Sequence, residues 1–144
     1  MKVLYDTSVL VAAFIKTHPL HEKSFSWFKK AYSSEFQSYV SSHTLLEIYA
    51  VLTSLPLEKK LESYIAISII KKNIYPVFTI INYSERDYKN LLLCLSELKI
   101  KGGSSYDGLI VFAAYKEKIN NIITLNKKDF EKITDYFNIT LITL

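Results

Sequence analysis

Single acids interrupt apolar stretches of this sequence at three places. Asp6 stands between Val3-Leu4-Tyr5 and Thr7-Ser8-Val9-Leu10, Glu47 is the sole charge in the run 44–52, and Asp107 is the sole charge from Gly102 to Tyr115. A helix as apolar as 44–52 must be largely buried. A carboxylate there is costly unless it is paired, hydrogen-bonded or bound to a metal. A fourth stretch, Thr124-Leu125-Asn126-Lys127-Lys128-Asp129, adds a carboxylate and neutral oxygens, and Ser8 puts a hydroxyl beside Asp6. Clustered carboxylates raise one another's pKa, so a site built from them calls for a cation. Hard oxygen donors suit Mg²⁺ or Mn²⁺, one ion or two. Such ions bind phosphates and activate water for attack on phosphorus. The chemistry indicated is phosphodiester hydrolysis without a covalent enzyme intermediate.

For these acids to meet, the elements carrying them must end at one edge. Residues 2–6 read as a short buried strand with Asp6 at its C-terminal end. Thr7-Ser8 then start an apolar helix, and a second helical pattern covers 21–33. A strand over 36–40 leads through Ser41-Ser42 into a helix over 43–54, which Pro56 ends. A helix is expected over 57–72, a strand over 75–79 with Pro76 near its start, and a helix over 85–99 opened by Ser84 and Asp87 as a capping box. Gly102-Gly103 turn into a helix over 105–117. A strand over 121–124, a short helix or turn over 127–133 and a strand over 139–143 complete the chain. Strands alternating with helices argue for a parallel α/β sheet covered on both faces. Helices that follow parallel strands begin at the sheet's C-terminal edge, where open α/β sheets bind ligands. Asp6, Glu47, Asp107 and the 124–129 stretch can therefore share one rim.

Length and composition narrow the alternatives. At 144 residues, 49% apolar and 22% charged, the expectation is one domain, residues 1–144, with a full core. One cysteine, Cys94, excludes a disulfide scaffold and a cysteine zinc cluster, and three histidines argue against a histidine-rich metal site. The three glycines form neither a dinucleotide-binding fingerprint nor a P-loop. The N-terminus has no long apolar stretch of the kind a secretory signal needs, and no 18-residue span is apolar and charge-free, so a cytoplasmic protein is expected, away from membranes. Net charge is +4. With Asp6, Glu47, Asp107 and Asp129 set aside, ten acids face eighteen bases. Lysine pairs at 29–30, 59–60, 71–72 and 127–128 can guide a polyanion toward an acidic centre. Lys127 and Lys128, beside the fourth acid, are the first phosphate-contact candidates. Some of the eleven tyrosines can stack on unpaired bases.

Four blocks in order resemble the PIN-domain ribonucleases: Val3 to Leu10 around Asp6, Glu47 in its helix, Tyr106-Asp107-Gly108-Leu109-Ile110, and Ile123 to Phe130. Size and order look most like the VapC-type toxin of VapBC toxin–antitoxin pairs. The resemblance implies a three-layer α/β/α sandwich around a mostly parallel five-stranded sheet. It places the metal-binding roles on Asp6, Glu47 and Asp107 and the fourth acid on Asp129, because Asn126 stands where many relatives carry an aspartate. Ser8 matches the family's small hydroxyl residue, and Thr124 is a further oxygen close by. The implied activity is a magnesium- or manganese-dependent endoribonuclease that leaves a 5′-phosphate on RNA. The implied partners are a second copy of the chain and a small antitoxin.

Rival readings are a free-standing PIN nuclease in RNA processing, an inactive RNA-binding PIN-like module, and a phosphotransferase with an aspartate nucleophile. The last wants a second aspartate two residues after the first, where this chain has Ser8. A dimer is expected through the helices around 43–72, with Ile67, Ile69 and Ile70 as contact candidates.

Overall fold

Strand β1, Lys2–Tyr5, holds the centre of the sheet because three of its four residues are buried. The computed structural model describes residues 1–56 and 61–144. After β1 come α1 (Thr7–Phe14), α2 (His21–Tyr32), β2 (Gln37–Ser41), α3 (Ser42–Ser54), α4 (Ser63–Asn73), β3 (Thr79–Ile81), α5 (Glu85–Glu97), α6 (Ser104–Lys116), β4 (Asn121–Thr124), α7 (Lys127–Phe137) and β5 (Thr140–Thr143). The five strands lie in the order β3-β2-β1-β4-β5, and every pairing is parallel. From β1 the chain builds outward to β2 and β3 on one side, then returns to place β4 and β5 on the other. The crevice between β1 and β4, at the strands' C-terminal ends, is thus a topological switch point.

Alternation along β1 sorts the helices into two layers. Val3 and Tyr5 join a core with Leu10 of α1, Phe28 of α2, Ile48 of α3 and Ile70 of α4. Leu4 points the other way, into a core with Leu95 of α5, Ile110 and Phe112 of α6 and Phe130 of α7. The result is an α/β/α sandwich with a parallel five-stranded sheet, as expected. Each large side chain wholly withdrawn from water in these cores contributes roughly 1.5–3 kcal/mol. Cys94 is buried. Among the described residues, no helix is long and apolar enough to cross a membrane.

Several boundaries differ from the sequence expectation. The third strand is Thr79–Ile81, not 75–79. Pro76 lies in a turn closed by the Val77 and Phe78 N–H groups donating to the Ile74 carbonyl at 3.1 and 2.9 Å. The apolar residues after it have the pattern of a strand, but Phe78 is spent in the core beneath. The helix expected from residue 57 begins at Ser63, and residues 57–60 of that expectation lie outside the described residues. The element after β4 is a full helix to Phe137, ended by Asn138 in the left-handed conformation (φ 55°). Ile70, offered as a dimer contact, is buried in the core, whereas Ile67 is exposed. The Ser84–Asp87 capping box is formed.

Candidate functional site

Asp6 ends β1. Its N–H donates to the Ile123 carbonyl at 3.0 Å, carrying the β1–β4 pairing one residue past the strand. The side chain is 4% exposed and makes no capping hydrogen bond to α1. It is instead held by two hydroxyls. Ser8 Oγ donates to Asp6 Oδ2, and Thr124 Oγ1 donates to the same oxygen at 2.7 Å. Each hydroxyl accepts in turn from a backbone N–H, Leu125 to Ser8 Oγ at 3.1 Å and Asn126 to Thr124 Oγ1 at 3.0 Å. The turn after β4 is thereby locked to the end of β1. Burial pushes the Asp6 carboxyl above its ordinary range; the hydroxyl donors oppose this, and the charge of Glu47 adds to it.

Glu47 arrives on α3. Ser41, the last residue of β2, caps that helix by accepting from the Thr44 N–H at 3.2 Å, and this fixes Glu47 in the second turn. Both carboxylate oxygens are engaged. Thr7 Oγ1 donates to Oε2, and His43 Nε2 lies 2.7 Å from Oε1. The His43 ring stacks flat on Tyr106, with centroids 5.4 Å apart and planes 6° from parallel.

Asp107 comes from the opposite layer, in the first turn of α6. Gly102 makes the entry with φ of 62°, a conformation that costs glycine little. Gly108 then lets α6 press close, since a Cβ there would lie 2.6 Å from Leu95 Cδ2. Burial first, then the charges of Asp6, Asp129 and Glu47, push the Asp107 carboxyl up to about 7.

Asp6, Glu47 and Asp107 open onto one cleft of about 320 Å³, which Ser8, His18 and Asn126 also line. Thr124 is buried beneath it, bonded to Asp6. Asp129 does not line this cleft. It is exposed in the first turn of α7, where it lines the adjoining surface with Lys127 and Lys128, yet its charge reaches Asp107. Lys127 pairs with Glu131 at 3.2 Å. Among the described residues, no group of three His, Cys, Asp or Glu side chains is gathered tightly enough to hold a metal ion. Asp6 is tied to Ser8 and Thr124, and Glu47 to Thr7 and His43. In donor chemistry the cleft still suits a hard divalent cation, since its acids are oxygen ligands and their mutual repulsion is what such an ion relieves.

Sequence reasoning left three residues out of the site. Thr7 was read as a helix start, and its bond to Glu47 spans 40 residues of chain, which no local pattern reveals. His43 lies four residues before Glu47 on one helix, a spacing that places two side chains on one face. His18 lines the cleft from the loop after α1.

Comparison with known proteins agrees with this architecture. Ribonuclease VapC27 of Mycobacterium tuberculosis is 27% identical over 113 residues, covering 78% of this chain and 77% of that protein. Ribonuclease VapC40 of the same species is 32% identical over 112 residues, covering 76% of this chain and 75% of the relative. The fold is shared with VapBC2 from Rickettsia felis, solved bound to a DNA fragment from its promoter. That likeness has a TM-score of 0.67 at 22% identity, over 100% of this chain and 99% of that one. A PIN-domain match runs over residues 3–136 and so takes in Asp6, Glu47, Asp107 and Asp129 together. On that match, and on relatives that are VapC-type ribonucleases, the chain belongs to the PIN-domain family.

Proposed function

We propose that this protein is a divalent-cation-dependent endoribonuclease and the toxin of a type II toxin–antitoxin pair. The observation that carries the reading is the opening of Asp6, Glu47 and Asp107, from both helical layers, onto one cleft at the switch point. Those three acids would hold Mg²⁺ or Mn²⁺, as one ion or two, with Asn126 in the lining and Asp129 beside it. When bound, the cation neutralises charge on the phosphate and activates water.

The remaining work falls to the chain's own groups. Ser8 and Thr124 hold the Asp6 carboxylate in one orientation, and Thr7 and His43 do the same for Glu47. Lys127 and Lys128 stand where flanking phosphates would pass. In the reaction a water oxygen bonds to phosphorus and the bond to the 3′ oxygen breaks. That oxygen takes a proton, leaving 3′-hydroxyl and 5′-phosphate ends.

The Rickettsia felis relative is a VapBC pair seen on promoter DNA. By analogy, this chain would assemble with a small antitoxin, as a homodimer, in a complex that binds its own promoter. The test is cleavage of an unstructured RNA pool with Mg²⁺ or Mn²⁺. Wild type should cut, and Asp6→Asn and Asp107→Asn should each abolish cutting with the fold retained. Undiminished cutting by either variant refutes the assignment. Co-expression of the product of an adjacent small gene should relieve toxicity if the pair exists.

A further inference from the structure

We propose that four lysines, Lys99, Lys101, Lys128 and Lys132, form a phosphate-binding track that leads a single RNA strand away from the acidic cleft. The inference rests on the reading of RNA as substrate and deepens it by naming the strand's path.

These lysines come from two elements that are distant in sequence. Lys99 and Lys101 lie in the connection between α5 and α6, where Lys99 takes a left-handed conformation (φ 56°). Lys128 and Lys132 sit four residues apart on α7 and so share one face. Together they line a hollow of about 220 Å³ in which Asp129 is the one acid. All four are exposed, and none joins a salt bridge among the described residues. Four like charges around one depression repel each other unless an anion enters, and a basic depression concentrates anions.

Continuity with the cleft selects the anion. The cleft shares Leu125 and Asn126 with a shallow depression over the start of α7. That depression in turn shares Lys128 and Asp129 with the lysine hollow. One unbroken surface thus runs from the three carboxylates to the four ammonium groups. A ligand that fits it is linear and carries charge at regular intervals, with one phosphate at the acids and the following ones at the lysines. An acidic polypeptide would satisfy the lysines alone and has no counterpart for the acidic end.

The test measures binding of a labelled single-stranded oligouridylate to the full chain in EDTA, as a function of KCl. Each lost phosphate contact should flatten the plot of log K against log salt by about 0.7. The variant K99Q/K101Q/K128Q/K132Q should therefore show a slope shallower by about 3. The matching arginine variant should keep the wild-type slope. As a control, K23Q/K29Q/K71Q/K72Q carries the same charge change on α2 and α4 in the other helical layer, and it should shift the slope by less than about 1. Equal shifts in the two glutamine variants, or no shift in the first, overturn the track. So does a first variant that keeps oligouridylate binding and loses only binding of poly-glutamate, which would assign the lysines to an acidic protein. Mn²⁺-dependent cleavage by wild type is scored separately. Cleavage with an unmoved slope sinks the track alone, and a moved slope without cleavage sinks the nuclease reading alone.

Discussion

Thr124 Oγ1 and Asp6 Oδ2 are 2.7 Å apart although 118 residues separate them in the chain. Both are buried, and the bond spans the crevice between the two central strands.

Thr124→Val keeps the shape and removes the donor. Leaving a buried acceptor without one of its donors costs roughly 1–3 kcal/mol. The variant should lose about 2 kcal/mol in urea denaturation. It should also show a smaller Mn²⁺-induced rise in thermal midpoint, because Asp6 keeps only the Ser8 hydroxyl to orient it. A wild-type denaturation midpoint would mean that the bond contributes nothing.

The carboxyl of Asp107 offers a way to rank its neighbours. The charges that raise it are, in order, Asp6, Asp129 and Glu47. Titration of Asp107 followed by carbon NMR should therefore fall furthest toward its ordinary value in Asp6→Asn, less in Asp129→Asn and least in Glu47→Gln. An unchanged Asp107 in Asp129→Asn would place that acid electrically outside the cleft.

Stability should depend on pH in a direction set by the same group. The folded-state pKa of Asp107, about 7, lies above its ordinary 3.8. Between those values the folded chain binds more protons than the unfolded one, so stability falls as pH rises and the loss is complete above the folded-state value. Asp6 shifts in the same direction. Asp87 shifts the opposite way, held low first by Lys116, and its influence belongs to more acidic solutions. Asp107 is part exposed, so screening keeps the effect modest. The thermal midpoint of chelator-treated protein should decline from about pH 5 to about pH 8. Saturating Mn²⁺ should reverse most of the decline, because it binds the folded state. A flat or rising midpoint contradicts shared charge in the cleft.

Ser84→Ala separates fold from site. It removes the side chain that accepts from the Asp87 N–H at the start of α5 and should cost about 1 kcal/mol. α5 does not line the acidic cleft, so cleavage per folded molecule should be unchanged in an activity assay below the melting range.

Much of this organisation is written in local pattern. Asp6, Glu47 and Asp107 stood out because each breaks an apolar run, and parallel βα connections carry such residues to one edge whatever the loops do. α7 is legible only in part: its sequence reads as a short helix or turn ending at residue 133, whereas Phe130, Ile133 and Phe137 lie on one helical run that continues to Phe137. What escaped was non-local. Val77 and Phe78 look like strand residues, and only the packing of Phe78 against Tyr5, with ring centroids 5.2 Å apart, shows why the chain turns there. The bond from Thr7 to Glu47 depends on how α1 and α3 settle against each other, which periodicity does not encode.

Because the middle strand β1 stands far ahead of its neighbour β4 in the chain, the two sides of the cleft come from distant stretches of sequence. A polypeptide made from its N-terminus holds Asp6 and Glu47 before it holds Asp107 and the Thr124 hydroxyl. A product cut short between α3 and α6 would therefore carry an incomplete acid set.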